Sequence, residues 1–215
     1  MKQRAIRSCR VHLVTDRRLA RGRTTREIVE AAVAAGVSVV QLREKELQTR
    51  AFYEEGMRIR DFLKHAGVTF IVNDRVDLAQ ALDADGVHLG PDDMPVAVAR
   101  RILGPDRIIG LSIKTLDDLR SPDCSYADYL GVGPIFSTTT KLDTAPPWGL
   151  EGLRRAREAT TLPIVAIGSI TPENAQAVIE AGADAVAVVS AVVGAIDPGQ
   201  AAAALVRAVG SGSAS

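Results

Sequence analysis

Short runs rich in valine, isoleucine and leucine alternate along the chain with longer segments whose apolar residues recur every three or four positions. The short runs predict strands at 11–15, 38–42, 69–73, 86–89, 108–112, 129–132, 163–167 and 185–189. They are mostly apolar at both parities, the pattern of strands covered by helices on one side and packed inward on the other. Between them, helical periodicity falls at 26–35, 49–66, 76–84, 94–103, 115–120, 150–159, 172–181 and 199–208. The seventh of these has visible local causes. Thr171 suits a helix cap, Pro172 the first turn, and Glu173 adds negative charge at the positive helix end. Ala175, Val178, Ile179 and Gly182 then mark one inward face, and Gly182 ends the helix before the next strand. Glycine also follows alanine at 35–36 and 66–67, shortly before a strand.

Eight strands alternating with eight helical intervals predict an α/β chain folded as a single (β/α)8 TIM barrel over 1–209. The 215 residues are compact for that architecture but sufficient. An open doubly wound sheet is the structural rival, since periodicity alone does not close a sheet. The Gly/Ser-rich end, 210–215, reads as a flexible tail.

Composition narrows the function classes. With 26 basic and 26 acidic side chains the net charge is zero, which argues against a nucleic-acid-binding domain held by a broad basic field. The basic front (Lys2, Arg4, Arg7, Arg10, Arg17, Arg18, Arg21, Arg23 and Arg26, opposed by Asp16) reads as a solvated end beside an anion-binding face. The longest nearly apolar stretch, 185–196, is too short to span a bilayer, so no membrane partner is expected. Cys9 and Cys124 are too few and too distant for a disulfide framework, and a reduced, cytoplasmic setting fits them.

Candidate chemistry collects after the strands, at what would be the C-terminal mouth of the barrel, while the opposite end carries little comparable chemistry. Gln41 stands at the end of strand two with Arg43 and Lys45 just beyond it, and Asn73 ends strand three with Asp74 following. Asp92 and Asp93 follow strand four, and Ser112 ends strand five. Thr138, Thr140 and Lys141 follow strand six, Gly168-Ser169 strand seven, and Val189-Ser190 strand eight. Arg43, Lys45, Thr140 and Lys141 offer donors for a phosphate or diphosphate. Asp74 and Asp93 are hard oxygen donors suited to Mg²⁺, with Asp92 competing for the second position. The turns at Gly168-Ser169 and Val189-Ser190 can expose backbone N–H groups to a monophosphate. Two separated anion sites favour joining two phosphorylated small molecules over simple hydrolysis. His88, set between apolar neighbours, reads first as an inward structural residue.

These segments resemble one family. HLVTD at 12–16, QLREK at 41–45, NDRVDLA at 73–79, ADGVHLG at 84–90, ADYLGVGPIFSTTTKLDT at 127–144, PIVAIGSI at 163–170 and GADAVAVVSA at 182–191 are similar to thiamine-phosphate synthases over almost the full length. The resemblance implies condensation of 4-amino-2-methyl-5-hydroxymethylpyrimidine diphosphate with 4-methyl-5-(2-hydroxyethyl)thiazole phosphate, giving thiamine phosphate and diphosphate with Mg²⁺. It implies that Gln41 orients the pyrimidine, that Arg43, Lys45 and Asn73 contact the diphosphate, and that Asp74 and Asp93 hold the metal. Ser112, Thr140 and Lys141 would line the reacting region, with Ser112, Lys141 and Arg43 catalytic. Thr138, Ser169, Val189 and Ser190 would meet the thiazole phosphate. A homo-oligomer is compatible with the sequence.

Two departures from the family pattern stand out. Pro91 replaces a common glutamine, and Ser169 replaces the second glycine of the phosphate turn, where a positive φ would carry a penalty. The alternatives are a thiazole tautomerase-like isomerase, which would need a proton-transfer residue in the mouth, and a noncatalytic phosphate-ligand-binding barrel.

Overall fold

The computed structural model describes residues 10–137 and 146–210. Its strands are β1 (Val11–Val14), β2 (Val39–Leu42), β3 (Thr69–Asn73), β4 (Gly86–Leu89), β5 (Ile108–Ile113), β6 (Tyr129–Val132), β7 (Ile164–Ile167) and β8 (Ala185–Val188). Each pairs in parallel with the next, and β8 returns to β1 to close the barrel. Every strand lies within one residue of its expected range. The open-sheet rival is thereby excluded.

Helices α1 (Thr25–Ala34), α2 (Thr49–His65), α3 (Val76–Ala81), α4 (Val96–Leu103), α5 (Gly149–Ala159), α6 (Pro172–Glu180), α7 (Ser190–Val193) and α8 (Pro198–Gly210) surround it. At the start of α1, the Thr24 hydroxyl accepts from Glu27 N–H at 3.2 Å and the Glu27 carboxylate accepts from Thr24 N–H at 2.8 Å. Gly56 in α2 lets the helix approach α3, since a Cβ there would lie 2.5 Å from Leu82 Cδ1. The interval expected as a helix over 115–120 instead forms two 3₁₀ segments, Asp117–Arg120 and Pro122–Tyr126. Asp118 accepts from the N–H groups of Lys114 and Thr115 at 2.8 Å each, capping the start of the first segment, which stops at Ser121, extended immediately before Pro122. Helix α8 runs one residue into the expected tail, and residues 211–215 lie outside the described residues.

Strand parity sorts the two cores. Val14, Val39, Ile71, Ile108, Tyr129 and Val165 fill the barrel interior, while Leu13, Val40, Val72, Val87, Ile109 and Leu130 pack outward against the helices. Polar residues at inward positions near the C-terminal strand ends therefore share one small space.

The opposite end is richer in polar contacts than the sequence suggests. Asp85, Asp128 and Asp184 each precede an even-numbered strand, and each accepts a hydrogen bond at 2.8 Å from a backbone N–H of the preceding strand's segment: Phe70, Ile109 and Ile164. Arg100 pairs with Asp128 at 2.6 Å and Arg157 with Asp184 at 3.0 Å. These contacts tie neighbouring strands together. The basic front is likewise used internally where it is described. Arg10 donates to Val209 O at 2.9 Å, and Arg23 donates to Val193 O, Ala195 O and Ile196 O at 2.7–3.1 Å. Among the described residues, no helix is long and apolar enough to cross a membrane.

Candidate active site

The C-terminal mouth encloses a cavity of about 190 Å³, lined in part by Gln41, Arg43, Asn73, His88, Ser112 and Ser169. Gln41 and Asn73 take inward parity at the ends of β2 and β3, and they are only 8% and 9% exposed. Arg43 follows two residues after Gln41. The Thr15 hydroxyl, just past β1, accepts from Arg43 N–H at 2.9 Å and so pins its backbone. Its guanidinium donates to the buried Asp16 carboxylate at 3.0 Å. Asp16 also accepts from Arg18 Nε at 3.0 Å and Nη2 at 2.7 Å. Burial pushes the Asp16 carboxyl up, but the Arg18 hydrogen bonds and the charges of Arg18 and Arg43 outweigh it and hold it below the usual range.

Glu44 has the opposite parity and the opposite balance. Its side chain is 1% exposed, its nearest cationic partner is Arg17 Nε at 3.7 Å, and its Oε1 has no hydrogen-bond partner among the described residues. Burial pushes its carboxyl up to about 7, with Glu55 and Asp16 adding to the shift and Arg17 and Arg43 opposing it.

Two acids meet at the β3 and β4 ends. Asp74 sits at φ +63°, a conformation Asp tolerates better than most residues, and its N–H donates to His88 O at 2.8 Å. Lys45 pairs with the Asp74 carboxylate. Asp93 Oδ2 accepts from Gly90 N–H at 2.6 Å, folding the carboxyl back over the end of β4. Burial pushes Asp93 above the usual carboxylate range. The hydrogen bond and charge of Asp74 add to this, against the Gly90 N–H and Lys45. Asp92, by contrast, is 94% exposed at its side chain and lies 3.9 Å from Lys114 Nζ. Among the described residues no group of three or more His, Cys, Asp or Glu can hold a metal ion. A cation at Asp74 and Asp93 would therefore draw further oxygens from substrate and water. That donor set suits Mg²⁺.

His88 joins the inner layer to the mouth. Its Nδ1 lies 2.8 Å from Tyr129 Oη and its Nε2 lies 2.9 Å from Ser112 Oγ. An inward structural position, as its apolar flanks suggest, is what the structure gives it.

Across the mouth, the turn after β7 needs its glycine. Gly168 has φ +116°, and a Cβ there would lie 2.7 Å from Pro134 Cα and 2.8 Å from Ile135 N. Ser169 is held at φ +49°, so the departure from glycine is accommodated in a left-handed conformation. Its hydroxyl donates to Ser137 O at 2.6 Å, and Asn174 Nδ2 donates to its carbonyl at 3.1 Å. Val189 and Ser190, at the start of α7, line the same cavity. Thr138, Thr140 and Lys141 lie outside the described residues.

Sequence reasoning missed Asp16 and Tyr129 as members of this assembly. Asp16 reads from the sequence as the lone acid in a basic stretch and the last residue of HLVTD, neither of which gives it a role. Tyr129 looks like an ordinary core aromatic until the register sets it two strands from His88.

The sequence model of the family described as thiamine monophosphate synthase matches residues 11–192. The chain is 53% identical to a thiamine-phosphate synthase of Albidiferax ferrireducens over 193 residues, covering 90% of this chain and 88% of that one. It is 55% identical to the thiamine-phosphate synthase of Chloroflexus aurantiacus over 188 residues, covering 87% of each. Among solved structures, it resembles a thiamine phosphate pyrophosphorylase from Pyrococcus furiosus. That match has a TM-score of 0.87 and 40% identity, covering 95% of this chain and 97% of the other.

Proposed function

The chain belongs to the thiamine monophosphate synthase family, and from that premise we propose how its mouth residues divide the work. The enzyme condenses a pyrimidine diphosphate with a thiazole phosphate to form thiamine phosphate. The observation that carries the division of labour is one cavity lined by Gln41, Arg43 and Asn73 on the β2–β3 side and by the Gly168-Ser169 and Val189-Ser190 turns on the β7–β8 side, with Asp74 and Asp93 meeting at the β3 and β4 ends.

In this reading Gln41 orients the aminopyrimidine, and Arg43, Lys45 and Asn73 hold the diphosphate. Arg43 supports that role with a planar fork whose backbone and guanidinium are both anchored. Asp74 and Asp93 would hold Mg²⁺, which when bound supplies positive charge to the departing diphosphate. Lys45, paired with Asp74, is placed to exchange that partner for the diphosphate. Ser112 donates a hydrogen bond where negative charge builds as the C–O bond breaks. The N–H groups around Ser169 and Ser190, with Val189, hold the thiazole phosphate so that its ring nitrogen faces the pyrimidine CH₂, and orientation removes much of the entropic cost. Thr138, Thr140 and Lys141 complete the assignment from the family resemblance, Lys141 acting through its charge. A cytoplasmic setting belongs to the same reading, since Cys124 is a free thiol.

A tautomerase-like reading needs a proton carrier in the mouth. Of the two histidines that line the cavity, His12 sits buried toward the N-terminal end of β1, away from the strand ends, and His88 has each ring nitrogen within hydrogen-bond distance of a side-chain hydroxyl. The test is a two-substrate assay with Mg²⁺ that follows thiamine phosphate and diphosphate together. Both products should form in equal amounts, and only when both substrates are present. Diphosphate release from the pyrimidine substrate alone at the same rate would reject the condensation.

A further inference from the structure

Three inward positions on adjacent strands form one layer: His88 pairs with Gly110, and Gly110 with Tyr129. Gly110 has no side chain, and a Cβ there would overlap the Tyr129 ring and lie 2.5 Å from His88 Nδ1. The phenol therefore leans over β5 and reaches the imidazole at 2.8 Å. One layer higher, Ser112 pairs with Gly131, where a Cβ would lie 2.8 Å from His88 Cε1. Two glycines thus clear the space in which His88 bridges Tyr129 and Ser112.

The direction of each hydrogen bond follows from burial. Tyr129 is 1% exposed, and among the described residues His88 Nδ1 is the hydrogen-bond partner of its hydroxyl. A buried O–H left without an acceptor is destabilising, so the phenol donates and Nδ1 accepts. Burial also pushes the Tyr129 hydroxyl well above its ordinary range, which keeps its proton in place. An imidazole that accepts at Nδ1 carries its hydrogen on Nε2. The Nε2–H then donates to Ser112 Oγ at 2.9 Å, and the serine's own hydrogen is left to point elsewhere. Ser112 lines the mouth cavity.

We propose that Tyr129 and His88 are positioning residues that set the polarity of Ser112, turning its hydroxyl hydrogen toward the anionic substrate. The opposite tautomer would make Ser112 donate inward to Nε2 and present only lone pairs to a diphosphate, which repels it. This inference rests on the reading of Ser112 as a donor to the departing group.

The direct test needs no change in the polar chain. Nitrogen NMR of the ¹⁵N-histidine-labelled enzyme at pH 8, with the His88 signals assigned by their loss in His88→Gln, should show Nδ1 bare and Nε2 protonated. The reverse tautomer overturns the proposal. Kinetics supply the functional half. Tyr129→Phe should lower kcat about tenfold with both KM values within about twofold of wild type, a smaller loss than removal of an oxyanion donor. His88→Gln places an amide NH₂ near the former Nε2 and should keep more kcat than His88→Asn, whose amide sits nearer the Nδ1 position. A purely structural role in satisfying Tyr129 predicts the reverse order, and that result would overturn the proposal. In a Ser112→Ala background Tyr129→Phe should have no further effect on kcat. A crippled Ser112→Ala beside an unaffected, folded Tyr129→Phe overturns the inference alone. A Ser112→Ala enzyme with wild-type kcat removes the serine reading itself and the inference with it.

Discussion

Asp16 aims Arg43: the buried carboxylate takes a 3.0 Å hydrogen bond from the Arg43 guanidinium while two further bonds from the Arg18 side chain keep it ionised. The acid lies just past β1 and the arginine just past β2, so the contact joins two strand ends 27 residues apart in sequence. A long cation that must meet a diphosphate loses less entropy on binding when its fork is already held.

Replacing Asp16 with Asn keeps the shape but removes the charge. The expected result is a KM for the pyrimidine diphosphate raised about tenfold, with the KM for thiazole phosphate little changed, in line with charge-assisted hydrogen bonds of about 1.5–3 kcal/mol. Steady-state kinetics with each substrate varied in turn checks it. An equal rise in both KM values would point to general loosening of the mouth.

Asp74→Asn and Asp93→Asn should each leave the barrel folded and raise the Mg²⁺ concentration needed for half-maximal rate by about tenfold or more. One carboxylate of a shared site is lost in either case. Because the two carboxyls interact directly, the double variant should fall short of the product of the single effects. Activity titrated against Mg²⁺ is the measurement. Asp92→Asn serves as the contrast, and its exposed position predicts a wild-type titration.

Ser169→Gly exchanges one term for another. Glycine relieves the positive φ, worth roughly 1 kcal/mol, and gives up the hydroxyl bond to Ser137 O, worth about the same, while loosening the unfolded chain. Stability should therefore stay within about 1 kcal/mol of wild type by urea unfolding. The hydroxyl is already committed to a carbonyl, so phosphate recognition falls to the backbone N–H groups. The KM for thiazole phosphate should then change by less than about threefold. A large rise in a folded variant would make the hydroxyl itself a phosphate donor.

Glu44 predicts a pH dependence of stability with a definite sign. Its carboxyl holds a proton in the folded protein up to about 7, whereas the unfolded chain releases it near 4.5. Between those values the folded state binds more protons, so this group's contribution is fully present below about 4.5 and is lost as pH rises through about 7. The total loss is at most about 3 kcal/mol. Glu44→Gln, which cannot ionise, should match wild type at pH 4.5 and exceed its stability at pH 8. Urea unfolding of both proteins across that range decides the matter, and equal stability at the two ends of the range would show that Glu44 titrates normally.

The sequence alone determined eight parallel strands wrapped by helices, and only the β8–β1 pairing decided that they close into a barrel. Val, Ile and Leu runs apolar at both parities can be buried only as strands covered on both faces, and the helical intervals between them make every connection a parallel crossover. It also brought Gln41, Asn73, Asp74, Ser112 and Ser169 to one end, because each stands at or just past a strand's C-terminal end. What it left undecided was every choice that depends on contacts across strands. Asp92 and Asp93 are neighbours of the same type, and only the fold-back of one onto Gly90 N–H and Asp74 separates them. The expected helix at 115–120 is a single 3₁₀ turn, Asp117–Arg120, begun by the reciprocal Thr115–Asp118 cap and stopped at Ser121, which is extended before Pro122, and a segment this short is not assigned to one helix type by periodicity. Asp16 and Tyr129 stand inside the HLVTD and ADYLGVGPIF segments, but nothing in those segments names their partners. Their roles arise from strand pairing and register, which set a carboxylate beside a guanidinium 27 residues away and a phenol beside an imidazole two strands away. Periodicity is a one-dimensional signal and survives in the sequence, whereas partner choice depends on register, which the closed sheet alone supplies.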